Sequence, residues 1–268
     1  MPAFGESLRR WRTQRRLSQL DLAGQADVST RHLSFVETGR STPSREMVLR
    51  LAQCLDVPLR ERNAWLMAAG FAPMYRERTI DDPTLSAARQ AVQLLLDRQE
   101  PFPAIAMDRH WNVVATNRAA PLLLSGAKAS LMTPPVNVLR LCHHPDGLAG
   151  RIANLAQVRA NHAQRLRQQI RASADPVLVD MLAELKRCPL PTARQSAHVA
   201  GEHLGVVAPF QIESAAGLLS FFTATTVFGS VSDITMSEMA MESFLPADDF
   251  TAKAVRKLTR IRKVGSYL

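Results

Sequence analysis

Long apolar runs, cysteine pairs and enzyme signatures are all scarce in this 268-residue sequence. No run of about 18 apolar residues occurs, so we expect no membrane-spanning segment. The N-terminus MPAFGESLRRW has no apolar stretch after a basic start, so no secretory signal is predicted. The three cysteines, Cys54, Cys142 and Cys188, form no CxxC pair, which favours neither a disulfide framework nor a zinc site. We therefore expect a reducing compartment, the cytoplasm.

Catalytic and metal-binding motifs are also scarce. There is no GxSxG, no GxxxxGKS/T phosphate loop and no GxGxxG, so the sequence does not predict an enzyme. The segment His143-His144-Pro145-Asp146 raises the question of a metal site. Adjacent histidines in a strand would point to opposite faces, and no second pair has helical spacing, so we predict no metal. A hydrolase that uses these histidines is the third hypothesis, after two that involve DNA.

Cys142 lies beside these histidines and is a candidate oxidant sensor. A free cysteine is more often a small buried hydrophobe, and this is the interpretation we favour.

Basic residues are in excess. The chain has 33 Lys and Arg against 24 Asp and Glu, a formal net charge of +9, and residues 1–80 contain 13 Arg and no Lys against 8 acidic residues. Because the arginine fork matches phosphate geometry, nucleic acid is the natural partner of this region, although charge alone leaves a solubilising face equally open. A second basic cluster closes the chain, at Lys253, Arg256, Lys257, Arg260, Arg262 and Lys263.

The first 70 residues have the pattern of five short helices. Phe4, Leu8 and Trp11 recur at helical spacing in residues 4–16. Ser18 is a suitable N-cap for a helix over residues 19–26, with Leu20, Leu22 and Ala23 facing the core, and Ser29 is a suitable N-cap for a third helix to about Thr38. Asp27 and Val28 form the turn between them, which makes a helix-turn-helix unit. A fourth helix begins at Pro43-Ser44, and a fifth runs from Pro58 to Gly70.

The segment LSQLDLAGQADVSTRHLSFVETGRSTPSREMVLRLAQCLDV resembles the Cro/C1 repressor-like (XRE) family of helix-turn-helix regulators. The resemblance depends on Ser18-Gln19, Ala23, Val28-Ser29, Glu37-x-Gly39 and Pro43-Ser44. Asp27 departs from it, because the family usually has a glycine there, and Asp adopts a left-handed conformation less easily. The resemblance implies a lambda-repressor-like fold and a double-stranded DNA partner.

By that resemblance the third helix lies in the DNA major groove. Arg31 would contact guanine and Thr30 or Phe35 a thymine methyl, with His32 and Ser34 exposed beside them. A second group would hold phosphates without reading sequence, namely Gln19, Ser29, Arg40, Ser41 and Thr42. For each of these residues a solvated surface side chain is the alternative. Glu37 would repel phosphate, so we expect it to form an ion pair or a cap within the domain.

The second half of the chain has a mixed pattern. A polar connector after Gly70 leads to a linker helix near residues 84–98. Two short strands around Asp108-Arg109 follow, then helices near residues 119–124, 150–172 and 176–186. A hairpin of residues 206–213 and 218–228, whose second strand is apolar on both faces, precedes a strand near 236–244 and a terminal basic helix. This is the order of a PAS-like sensor, so the predicted fold class is α+β, with an all-α five-helix N-terminal domain.

Several segments, among them DRHWNVVATNRAA, NVLRLCHHPDG, SFFTATTVFG and ESFLPAD, look like the MmyB-like regulators. That resemblance implies a PAS-like domain for a small apolar, fatty-acid-like ligand, with no required cofactor. The expected domains are 1–70 (helix-turn-helix), 71–101 (linker), 102–250 (PAS-like) and 251–268 (basic helix). Candidate pocket residues, chosen by apolarity, placement or polar orienting capacity, are Phe102, Ile105, Trp111, Val113, Asn117, Leu139, His143, Phe210, Phe222, Phe228 and Phe244. Ordinary core packing is the alternative for each.

Two further expectations concern assembly, and a third is the rival function. A homodimer would place two third helices on a near-palindromic operator, with half-sites about one helical turn apart. The terminal helix would pack its apolar stripe of Val255, Leu258 and Ile261 on its own domain or a second subunit, or else touch DNA or acidic partners. The rival function is a ligand-independent phage-type or antitoxin-like repressor, whose C-terminal half serves dimerisation or protein contact.

Overall fold

A computed structural model describes residues 4–190, 209–228 and 233–265, with side chains as far as Arg260. The chain divides into two compact units. Unit 1 contains Met1–Arg78 together with Arg171–Ala174 and Ser230–Ser237, and unit 2 contains the rest. The predicted domain boundaries at residues 70, 101 and 250 stay predictions.

Unit 1 is built on five helices. They are α1 (Phe4–Gln14), α2 (Gln19–Gln25), α3 (Thr30–Glu37), α4 (Arg45–Cys54) and α5 (Leu59–Ala68). Ser18, Ser29 and Ser44 each accept a hydrogen bond from the backbone N–H three residues later, which satisfies a donor that the helix start would otherwise leave unpaired. The five-helix prediction and its serine caps are confirmed.

The core of unit 1 forms around two tryptophans. Trp11 and Trp65 meet edge to face with ring centroids 6.5 Å apart, and Trp65 Nε1 donates to Ser7 Oγ at 2.9 Å. Leu22 and Ala23 are buried as expected, but Leu20 is 70% exposed. The core prediction for Leu20 is wrong, because the inner face of so short a helix is filled by Leu22, Ala23 and the following Ala26.

The turn between α2 and α3 contains a left-handed aspartate. Asp27 has φ 50°, a conformation that residues other than glycine, asparagine and aspartate adopt uncommonly. At this position the sequence departs from the family pattern, which has glycine. The turn nevertheless keeps its left-handed conformation, and Asp27 carries the strain.

Unit 1 also includes the short helix α11 (Ile234–Ser237). The backbone N–H of Ile234 donates to Arg76 O at 2.9 Å. The hydroxyl of Thr235 accepts from Arg78 N at 3.2 Å and donates to Arg78 O at 2.5 Å, while Arg78 and Asp233 form an ion pair at 2.6 Å. Unit 1 is therefore held together in part by contacts between residues that lie far apart in the chain.

Unit 2 is an α+β domain with a five-stranded antiparallel sheet in the order β2-β1-β5-β4-β3. The strands are β1 (Ala104–Met107), β2 (Val113–Thr116), β3 (Phe210–Ser214), β4 (Gly217–Val227) and β5 (Ala240–Pro246). Its helices are α6 (Ser86–Arg98), α7 (Pro121–Leu124), α8 (Val138–His143), α9 (Leu155–Ser173, ending within unit 1), α10 (Pro176–Arg187) and α12 (Asp249–Gly265). The order of two strands, helices, three strands and a last helix is the predicted one.

Three local predictions for unit 2 are wrong. Val138–His143 is a helix, so His143 and His144 are not strand neighbours on opposite faces. The last strand begins at Ala240 rather than near 236. Strand β4 is buried only at Leu219 and Phe221, and beyond Phe222 it is exposed, so it is not covered on both faces.

The basic helix α12 packs its apolar stripe against its own domain. Val255 and Thr251 are fully buried, Ala254 is 8% exposed, and Leu258 lies against the same core. The predicted contact of Ile261 falls on a side chain outside the described part of the chain. Packing on the same domain is the alternative that the structure bears out for the described stripe.

Candidate functional site

The predicted DNA-reading residues lie along α3 and the loop that follows it. Arg31 is exposed, whereas Thr30, His32, Ser34 and Phe35 are half-buried. Leu33 and Val36 fill the inner face of the helix, which leaves the opposite face to these polar side chains. Ser29 Oγ accepts from His32 N at 3.1 Å, so its lone pair is used as a cap and its own hydrogen is available to a partner.

Arg31 is held by its neighbour one helical turn later. Its guanidinium carbon lies 5.4 Å from the centroid of the Phe35 ring. Such a contact restricts the arginine without using its N–H donors in the ring plane. Phe35 is therefore a support for Arg31 as well as an apolar surface of its own.

The side chain of Gln19 is hydrogen-bonded to a buried ion pair. Arg12 Nε and Nη2 donate to Glu37 at 2.6 and 3.0 Å, and Gln19 Nε2 donates to Glu37 Oε2 at 2.7 Å. Burial alone would raise the pKa of Glu37, but the hydrogen bonds from Arg12 and Gln19 outweigh it, and the pKa is lowered. The prediction that Glu37 forms an ion pair within the domain is confirmed.

The backbone after α3 is folded back on the helix. The N–H groups of Arg40 and Ser41 both donate to Phe35 O, at 2.8 and 3.2 Å, and Gly39 takes the left-handed conformation that ends the helix. Arg40 and Thr42 are exposed and Ser41 is half-buried. Of the ten predicted DNA-contact residues, nine thus lie on α2, α3 and this loop, and Ser29 is the N-cap of α3.

Unit 2 contains a cavity of about 230 Å³ between its sheet and its helices. Its apolar wall comes from β1, β2, β3 and β5, from α7 to α9 and from the loops between them, including Ala120, Leu141, Leu148, Val158, Phe210 and Phe244. Ligand pockets commonly measure roughly 300–1,000 Å³, so this one suits a small ligand.

Four of the predicted pocket residues line this cavity, namely Ile105, Val113, Phe210 and Phe244. Leu139 and Trp111 are core residues beside it, and Phe102 packs against the same core under Arg256. Phe222 and Phe228 do not line it. Phe222 follows Phe221 in β4 and so points to the other face of the sheet, while Phe228 lies just beyond the end of the strand.

The two polar pocket candidates have structural partners instead. Asn117 accepts from the backbone N–H groups of Ala104 and Ala120 and donates to Phe102 O at 2.7 Å, so its amide is used in holding the chain. His143 is buried behind the wall, with Nε2 2.9 Å from Nδ1 of His162. His162, rather than His143, lines the cavity.

These buried groups are uncharged at neutral pH. Burial lowers the pKa of His143 to about 4 and, with His143 and Arg165 nearby, that of His162 to about 3. Burial raises the pKa of the Cys142 thiol to about 12. A thiol with so high a pKa is a poor nucleophile, which agrees with the interpretation of Cys142 as a buried hydrophobe.

Sequence reasoning missed the polar residues that do face the cavity. They are Asn161, His162, Arg165, Thr223, Thr225 and Glu242. Arg165 lies 4.8 Å from the Trp111 ring centroid and 3.6 Å from Glu242 Oε2. Alternation in the segment AMESF would have placed Glu242 and Phe244 on one strand face, which is the signal that could have found the glutamate.

Among the described residues, no group of three or more histidines, cysteines or acidic residues is arranged to hold a metal ion. Within the same residues, no helix combines the length and apolarity needed to cross a membrane.

Family comparison connects both units to transcription. The model of a helix-turn-helix domain matches residues 3–65, and the model of the MmyB-like transcription regulator ligand binding domain matches residues 88–258, more than half of the chain. The chain belongs to the MmyB-like transcription regulators. No curated protein sequence matches it. As a regulator of this family it binds DNA through its helix-turn-helix, and the matched families are those of regulators, not enzymes.

Proposed function

We propose that this MmyB-like regulator reads a near-palindromic operator as a homodimer, and that a small apolar ligand in the cavity of unit 2 changes its DNA affinity. The observation that carries the ligand is the cavity itself, enclosed largely by apolar side chains within the matched ligand-binding domain. Such a ligand acts only if it binds the DNA-competent and incompetent states differently. The same proposal places the protein in the cytoplasm, where a regulator of this kind would meet its DNA.

For DNA, we propose that α3 enters the major groove with Arg31 at a guanine edge and Thr30, His32, Ser34 and Phe35 beside it. Ser29, Arg40, Ser41 and Thr42 then hold phosphates. Gln19 uses one amide hydrogen on Glu37, and its second amide hydrogen remains for a phosphate oxygen.

The DNA proposal is tested by selecting binding sites from random duplexes and comparing two arginine variants. Arg31→Ala should lower affinity for the selected site by about 1–3 kcal/mol and relax preference at one base pair. Arg40→Ala, the matched control, should weaken all sequences together and reduce the salt slope by about 0.9. If both variants lost the same affinity on every sequence, the proposal that α3 enters the major groove would be contradicted. Selected sites without two half-sites about one helical turn apart would contradict the proposal that the protein binds DNA as a homodimer.

The ligand proposal is tested on the full chain as purified. Native mass spectrometry should detect a bound small molecule, and Ala120→Phe, which fills the cavity, should exclude it and abolish any ligand effect on DNA binding. Leu139→Met, a core change beside the cavity, is the control. No copurifying molecule, together with unchanged DNA binding in Ala120→Phe, would favour the ligand-independent repressor whose C-terminal half serves only dimerisation or protein contact.

A further inference from the structure

Glu242 is a carboxyl group inside an apolar cavity wall. It sits in β5, the central strand of the sheet, and the residue is only 7% exposed. Its cross-strand neighbours are Ile105 on β1 and Thr225 on β4, and all three line the cavity. The glutamate side chain thus faces the space that a ligand would occupy, in the middle of the sheet.

The carboxylate of Glu242 lacks a hydrogen bond within the part of the chain that the structure describes. The closest cation, Arg165, has Nη1 3.6 Å from Oε2, which is beyond hydrogen-bond distance. Arg165 is held in that position by Trp111 and by Thr225 Oγ1 at 3.4 Å. No fully buried side-chain oxygen among the described residues lacks a partner, so the Glu242 oxygens open on the cavity, where a donor from a bound molecule can pair with them.

The other titratable groups around Glu242 are neutral at pH 7. His162 on α9 and Cys142 on α8 face it, with His143 behind His162, and burial keeps both imidazoles and the thiol uncharged. Arg165 is therefore the one charged neighbour that the described residues provide. One cation and one carboxyl group make the polar end of the cavity close to neutral overall.

We propose that Glu242 is the polar anchor of the ligand, and that the ligand is an amphiphile with an apolar body and a head that donates a hydrogen bond, such as a hydroxyl or a primary amide. The inference rests on the proposed ligand-binding function and adds the chemistry of the head. A hydrocarbon would leave Glu242 without a donor. A carboxylate head would bring a second negative charge beside Glu242, so it would bind with uptake of one proton shared by the two carboxyl groups.

The test compares two isomers that differ in their donor. Titration calorimetry of the full chain, stripped of copurified lipid, would use 1-decanol, which has a hydroxyl donor, and nonyl methyl ether, which has none. In the wild type, decanol should bind about 10-fold to 100-fold more tightly. Glu242→Met should abolish this difference, and Glu242→Gln, whose amide oxygen still accepts, should restore part of it. Ser243→Ala, on the opposite face of β5, should leave it unchanged.

A third probe, decanoate, tests the charge argument. Its affinity should fall as pH rises from 6 to 8, whereas that of decanol should stay constant. Equal binding of the two isomers to wild type, or a difference that persists in Glu242→Met, would overturn the anchor while leaving the cavity as a ligand site. Failure of every probe to bind the wild type would overturn the ligand-binding function and the anchor with it. Arg165, the partner that both Glu242 variants leave behind, is 25% exposed and keeps its contact with the Trp111 ring, so loss of folding is not the expected outcome.

Discussion

Individual buried charges in this protein are of two kinds. Glu37 has three hydrogen bonds from Arg12 and Gln19, and its pKa is lowered despite burial. Within the described residues Glu242 has no hydrogen bond, only the longer ion pair with Arg165 at 3.6 Å, and burial raises its pKa although Arg165 opposes the effect. The hydrogen-bonded carboxylate of Glu37 supports the fold, whereas the carboxyl group of Glu242 opens on the cavity and is available to a ligand.

Arg12→Met should destabilise the protein strongly. The substitution keeps an apolar side chain of similar length but leaves the Glu37 carboxylate buried without its ion partner, which typically costs about 3–5 kcal/mol. Urea unfolding monitored by tryptophan fluorescence would measure the loss. Arg10→Met, at an exposed position of the same helix, is the control and should change the free energy of unfolding by less than about 0.5 kcal/mol. A loss no larger in Arg12→Met than in the control would contradict the importance of the pair.

Glu242→Gln should stabilise the ligand-free protein at neutral pH. Because the folded-state pKa lies above the ordinary 4.5, the favourable contribution of Glu242 is present below pH 4.5 and is lost as pH rises through the raised pKa. Calorimetry at pH 7.5 should therefore show a higher Tm for the variant, by roughly 2–4 °C for each 1 kcal/mol. The difference should shrink as the pH is lowered to 4. A lower Tm for the variant at pH 7.5 would mean that Glu242 is satisfied within the protein.

At the scale of elements, local signals were enough to predict the five N-terminal helices. The starts of α2, α3 and α4 are marked by Ser18, Ser29 and Ser44, and apolar spacing or a proline indicates the other two. Helix α8 was missed because it is only six residues long and its apolar residues also fit a strand. The pairing of His143 with His162, 19 residues apart, depends on how α8 and α9 pack, which no local pattern encodes.

The same limit applies to the candidate sites. The residues proposed to contact DNA adjoin one another along the chain from Gln19 to Thr42, so a sequence motif could predict them as a set. The cavity instead collects side chains from strands and helices between Ile105 and Phe244. Apolar residues in such segments are equally suited to core and pocket, which is why only four of the predicted eleven line it.

Asp27→Gly should stabilise the turn between α2 and α3. A left-handed conformation costs an L-residue about 1–2 kcal/mol, and the greater unfolded-state freedom of glycine offsets about 0.5–1 kcal/mol, so a net gain of up to about 1.5 kcal/mol is expected. Gly39→Ala provides the opposite change, because φ there is 73° and no atom lies within 4 Å of an added Cβ. Chemical denaturation should show opposite signs for the two variants. The same sign in both would exclude backbone strain as the cause.

At the scale of the whole molecule, the chain is not divided into two consecutive halves. Strands β4 and β5 belong to unit 2, whereas residues of the segment that joins them belong to unit 1. No sequence pattern predicts this return, because Asp233 and Thr235 bond to Arg78, more than 150 residues earlier in the chain.

Thr235→Val should weaken unit 1 although the residue lies far along the chain. The change keeps the shape of the side chain but removes the hydroxyl that bonds both the N–H and the carbonyl of Arg78, at a cost of about 1–3 kcal/mol. Hydrogen exchange should then quicken at residues 59–78. Thr259→Val, which removes a hydroxyl bonded only within α12, is the control and should leave exchange at residues 59–78 unchanged. Unaltered exchange in Thr235→Val would mean that α11 does not support the unit.

This chain path has a practical consequence for protein engineering. A fusion of residues 1–78 to another sensor would lack Asp233 and Thr235. A sensor that begins at residue 79 would contain α11 without Arg78, to which α11 bonds. Because unit 1 also takes Arg171–Ala174 and Ser230–Ser237 from later in the chain, a single cut after residue 78 does not separate interchangeable parts of this regulator. A biosensor built from it has to graft the β4–β5 connection together with the helix-turn-helix domain.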